Sequence, residues 1–149
     1  MTFPTHLLAG LIIGKITGQY TAAIAGSLVI DIDHLVSYFK NGILFKPRAL
    51  LKAMKNEHDP WDDQRNFLHS VFAWAIVTII FCYINMPLGS VFSVAYLGHL
   101  VFDALDGAVF YPFFPLRKFV LRGGISYHSR AEAVFTGILA TMFLYLFIM

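Results

Sequence analysis

His99, Asp103 and Asp106 lie in the run Gly98–Gly107, which is otherwise apolar and reads as part of a membrane helix. Their spacing of i, i+4 and i+7 puts all three on one face of a helix. An imidazole and a carboxylate one turn apart form a preorganised pair of metal ligands. The same stripe would also serve as polar packing against neighbouring helices. Three ionisable groups at membrane depth are costly, however, and groups kept there usually carry function.

Other segments supply matching chemistry. His6 follows Thr5, the cluster Asp31-Ile32-Asp33-His34 ends an apolar stretch, His69-Ser70 opens another, and His128 and Glu132 repeat the i, i+4 spacing. Imidazole and carboxylate without thiolate suit zinc, with manganese or iron as alternatives. The sole cysteine, Cys82, sits in an apolar run, which excludes an intrachain disulfide and a cysteine-based zinc site. The candidate ligands His6, Asp31, His34, His69, His99, Asp103, His128 and Glu132 exceed what one four-coordinate ion requires. Two or three ions sharing carboxylates would use them all. Such clusters activate water and clamp phosphoryl oxygens during in-line displacement. Asp33 or Asp106, left uncoordinated, is the candidate general base. Arg65 is the first candidate to bind phosphate oxygens, followed by Arg130 and Arg122.

The elements that position these groups follow from hydropathy. The chain has 149 residues, 58% hydrophobic and 13% charged, with a mean hydropathy of +0.67. A soluble domain carries about 25% charged residues, so the composition indicates an all-α, polytopic membrane bundle, a single domain over 1–149. A net charge of +2 is too small to indicate a nucleic-acid partner. The N-terminus has no basic n-region or small-residue cleavage site, so Thr5 and His6 are expected in the mature chain.

Thr17-Gly18-Gln19-Tyr20 interrupts the first apolar stretch with a turn signal. One continuous helix would hold His6 and Asp31 almost 40 Å apart, at about 1.5 Å per residue. Two short helices, 6–16 and 21–31, return both ends to one level as a helical hairpin. Arg48–Lys55 reads as an amphipathic interfacial helix. The charged loop after it is expected to be solvated, with His58 and Trp61 placed to overhang a site. Three long spans are expected at 67–86, 91–110 and 127–149, the first two joined by a turn at Pro87–Ser90.

This arrangement brings His6, Asp31, His69, Asp103, Asp106 and His128 to one membrane face. Ten of the 11 basic residues fall near that face, and only Lys15 lies opposite. The positive-inside rule places the shared face in the cytoplasm.

Thr5-His6, Asp31-Ile32-Asp33-His34, Arg65 with His69-Ser70, and Gly98-His99 with Asp103 form a set that resembles the YdjM-like inner-membrane metal-dependent hydrolases. The chain departs from that family's pattern at Ile30, where a proline is usual. His99/Asp103 and His128/Glu132 are distantly similar to the ligand pairs of zinc-dependent phospholipases C and single-strand nucleases. That similarity implies one ion on Asp31 or Asp33 with His69, His99 and Asp103. It implies a second ion on Asp103 and His6, and a third on His128, Glu132 and Asp106. Those enzymes also use a mature N-terminal amine, for which Met1 offers no obvious equivalent.

The expected function is an inner-membrane hydrolase of a phosphoester, lipid-like in substrate and facing the cytoplasm. A transporter or channel would spread polar groups through the membrane depth, whereas Val71–Tyr83 and Val134–Met149 are almost wholly apolar. A structural protein stapled by metal would hold its ion in a saturated shell.

Overall fold

The computed structural model describes residues 1–55, 61, 65 and 67–149. His58 lies outside them, and Trp61 is exposed. The chain opens with the expected hairpin: α1 (Phe3–Thr17) and α2 (Tyr20–Leu28) are joined at Gly18, whose φ of 72° ends α1 in the left-handed region.

The first departure follows α2. The Asp31–His34 cluster does not end the helical run. A 3-10 turn at Val29–Asp31 leads into α3 (Ile32–Lys40), and α4 (Pro47–Met54) matches the expected interfacial helix. Tyr20–Lys40 is thereby a 21-residue run long and apolar enough to cross a membrane.

Of the three expected long spans, two are long. α5 (Val71–Ile84) has 14 residues, because the Ser70 hydroxyl caps it by accepting from Ala73 N–H at 3.1 Å. α6 (Met86–Leu105) starts five residues before its expected position. Pro87 lies in the first turn, where a missing N–H costs nothing, and the Asn85 side chain caps the helix through Leu88 N–H. α7 (Arg130–Ile148) begins after Ser129, whose hydroxyl accepts from Glu132 N–H.

α1, α2 and α6 pack together, with α5 on α6 and α7 on α1. A small core of Ile30, Phe92, Tyr96, Leu100 and Phe110 lies beside the site-bearing ends. Most other large apolar side chains face outward, including Ile76, Ile79, Ile138 and Phe147. Water does not tolerate so large an apolar exterior, and lipid does.

α2 and α6 approach closely at Gly26. A Cβ there would stand 2.3 Å from the Phe92 carbonyl oxygen and 3.0 Å from the Ala95 Cβ. Only glycine allows this backbone contact, as in other lipid-embedded helix pairs. Gly26→Ala is expected to force the pair apart and to cost about 1–3 kcal/mol. Thermal unfolding in detergent should show the loss, whereas Gly137→Ala, whose added Cβ meets nothing within 4 Å, should leave the melting temperature unchanged or slightly raised.

Candidate metal centre

Five segments converge at the ends of the bundle: the start of α1, the 3-10 turn before α3, the stretch before α5, the last turn of α6 and the start of α7. The Asp103 carboxylate is at their centre. Its Oδ2 lies 3.4 Å from both His69 Nε2 and His99 Nε2. Asp31 Oδ1 stands 3.6 Å from His99 Nε2 and 3.8 Å from His69 Nε2. Ligand atoms around a tetrahedral ion with bonds of about 2.0–2.1 Å stand about 3.3–3.4 Å apart. Asp31, His69 and His99 offer three mutually close ligand atoms that could hold an ion, and Asp103 Oδ2 lies beside both imidazole nitrogens. Among the described residues both Nε2 atoms are buried without a hydrogen-bond partner, which is costly unless a cation receives them.

Local structure fixes the tautomers. His99 Nδ1–H donates to the Ser27 carbonyl at 2.7 Å. That carbonyl lies just before the 3-10 turn Val29–Asp31. His69 Nδ1–H donates to Asp33 Oδ2 at 3.2 Å. The same oxygen accepts from Leu68 N–H at 2.6 Å and His69 N–H at 3.3 Å, and Tyr96 Oη–H donates to the Leu68 carbonyl. With each Nδ1 occupied as a donor, each Nε2 presents its lone pair to the shared centre. Burial opposes a proton on the His69 ring, but Asp31, Asp33 and Asp103 outweigh it and raise its pKa. The pocket favours a cation.

The second oxygen of Asp103 faces positive groups. His6 Nε2 lies 3.4 Å from Oδ1, the Met1 α-amine 3.0 Å and Arg65 Nη2 3.7 Å. The amine and Arg65 Nη2, the latter at 2.9 Å, both bind Asp106 Oδ2 as well. The amine is thus at the centre, contrary to the expectation that Met1 offers no equivalent. Burial acts to raise the Asp106 pKa, yet Arg65 and the amine hold it below the ordinary carboxylate range. Burial likewise opposes the Arg65 charge, and Asp103 and Asp106 overcome it.

Three expectations are corrected. Asp106 does not share the helical face of His99 and Asp103: α6 ends at Leu105, and Asp106 is extended, paired with Ile125. His34 Nε2 lies 3.5 Å from Asp31 Oδ1, but His34 is outside both groups of mutually close ligand atoms, His6–His99–Asp103 and Asp31–His69–His99. His128 and Glu132 are not a helical pair, because Ser129 caps α7 between them and leaves His128 exposed at a φ of 56°. The buried Glu132 carboxylate accepts instead from the backbone N–H groups of Thr2 and His128. Ser129-Arg130-Ala131-Glu132 has the S-x-x-E form of a capping box, and the Ser129 half of it is made, while the Glu132 carboxylate passes over Ser129 N–H to that of His128.

A family model described as YdjM inner membrane protein matches residues 1–149, and the chain belongs to that family of integral membrane proteins. No curated protein and no solved structure matches the chain.

The orienting role of Asp33 gives a direct expectation. Asp33→Ala keeps Asp31, His69, His99 and Asp103 but frees the His69 ring. Competition with a chromophoric zinc chelator should show affinity lowered by about 10–100-fold with unchanged stoichiometry.

Proposed function

We propose that the chain is a metal-dependent hydrolase that cleaves a phosphoester, lipid-like in substrate, at the cytoplasmic face of the inner membrane. One observation carries this reading. Two buried imidazoles with fixed tautomers and the Asp31 carboxylate bring three ligand atoms together, with the Asp103 carboxylate beside both imidazoles, and Asp31 is the partly exposed member. The Asp31 side chain is 30% exposed, whereas those of His69, His99 and Asp103 are at most 2% exposed. A metal that only staples helices needs no such opening.

Zinc suits the donor set, with manganese or iron as alternatives. A bound ion would polarise a phosphoryl oxygen and lower the pKa of water. Asp31, His69, His99 and Asp103 would hold it. A second ion would use His6 and the other Asp103 oxygen, where the α-amine and Arg65 now stand. A third, expected on His128, Glu132 and Asp106, has no assembled ligand set among the described residues.

The remaining groups divide the work. Asp33 orients His69. Asp106 fixes the Arg65 guanidinium, whose Nη1 is buried without a partner among the described residues and is suited to a phosphoryl oxygen. The concentration of basic residues at this end of the bundle supports the cytoplasmic orientation.

Purified wild-type protein is expected to carry a divalent ion and to hydrolyse phosphodiesters. A chelator should remove both properties and zinc should restore them. Asp103→Ala should lose both, whereas Arg65→Lys should keep the metal and lower kcat by about 10²-fold. Elemental analysis beside a phosphodiesterase assay checks this. Wild-type protein that takes up no divalent ion would overturn the reading.

A further inference from the structure

Glu132 is a buried carboxylate that stands outside both groups of mutually close ligand atoms. Such an anion needs donors held in place. It has one on each oxygen: Thr2 N–H on Oε1 and His128 N–H on Oε2, the latter at 2.7 Å. The first donor belongs to the residue that precedes α1, the second to the turn that precedes α7. A second tie lies one turn further along, where the hydroxyls of Thr5 and Thr136 meet at 2.8 Å. Thr2 and Thr5 are three residues apart, Glu132 and Thr136 four, so both ties stand on the facing sides of α1 and α7. His128 marks the same point by its backbone. Its φ of 56° is left-handed, which a non-glycine residue holds only where its surroundings over-determine it.

What the ties fix is the start of α1. Met1 before Thr2 and His6 after Thr5 both reach Asp103 Oδ1, through the amine at 3.0 Å and Nε2 at 3.4 Å. The His6 ring also stacks on that of His99, with centroids 3.7 Å apart. His69 and His99 are aimed by acceptors on their Nδ1 atoms, Asp33 and the Ser27 carbonyl. His6 Nδ1 is buried without a partner among the described residues. The aim of its Nε2 therefore depends on where its backbone is held.

We propose that Glu132 is a positioning residue for His6. It clamps the backbone before α1 to the backbone before α7, and the clamp does for His6 what an Nδ1 acceptor does for the other two imidazoles. The proposal rests on the hydrolase reading for the ion that His6 would hold, though not for the clamp itself. Both oxygens and the full side-chain length are needed. Glutamine would turn an NH2 group toward one of the two donors, and aspartate is one methylene short of joining them.

Two measurements test this. Carbethoxylation by diethyl pyrocarbonate, mapped by mass spectrometry on metal-free protein in detergent, reads the position of His6. In the wild type His6 and His69 are both buried and should both be protected. In Glu132→Gln and Glu132→Asp, His6 should react about tenfold faster while His69 stays protected. Equal exposure of His69, as a general loosening of the bundle would give, overturns the proposal, and so does a protected His6 in both variants. The second measurement is a zinc titration against a chromophoric chelator. Glu132→Gln should weaken the second ion about tenfold and leave the first unchanged. In a His6→Ala background the same substitution should change nothing. A loss that persists there, or no loss in the wild-type background, overturns the proposal. Wild-type protein that takes up no second zinc fails the reading of His6 as a ligand, and selective labelling of His6 in Glu132→Gln then still upholds the clamp.

Discussion

The Asp103 carboxylate is almost fully removed from solvent within a bundle whose exterior is apolar. An anion in such surroundings must be matched by cations or by donors held in place. Much of the local architecture answers that demand. One oxygen faces the imidazoles of His69 and His99, and the other faces His6, Arg65 and the Met1 amine. These partners come from three separate stretches of chain: the start of α1, the stretch before α5 and α6 itself. The carboxylate therefore acts as the point at which the ends of the bundle are registered. Asp31 and Asp106 add negative charge close by, so the two fixed cations leave the Oδ2 side undercompensated. A divalent ion at that side answers the electrostatics and the two orphan imidazole nitrogens together.

The helices were legible to the extent that apolar runs and turn residues mark them. The turn at Gly18 follows from its sequence signal and returns Asp31 to the level of His6. The errors lie at the ends of helices, where single capping groups decide. Pro87 reads equally as a turn residue or as a first-turn residue, and the Asn85 cap selects the second. α3 was missed because its inward face is polar and its outward face apolar, so Asp31–His34 looked like a termination rather than a bend.

The site was legible residue by residue where ligands sit on one element, as with His99 and Asp103. It was legible only as a set where they converge from different elements. Spacing alone misplaced His128, because an i, i+4 pair is a ligand pair only if the helix includes both residues. It also could not rank Asp31 against Asp33. Asp31 follows the 3-10 turn inward to the imidazoles, whereas Asp33 is directed to the backbone of Leu68 and His69. The buried amine carries no side-chain signal.

The 3-10 turn before α3 links these levels. The Ser27 carbonyl just before it accepts the His99 Nδ1–H, and this leaves the His99 Nε2 lone pair to the centre. The turn itself ends in Asp31, whose carboxylate reaches the same imidazole and whose side chain is the partly exposed one. Beyond it α3 runs with its apolar residues outward and Asp33 directed back to the His69 segment. One short 3-10 turn thus supplies a carboxylate, adjoins the carbonyl that orients an imidazole and sets which side of the centre is exposed.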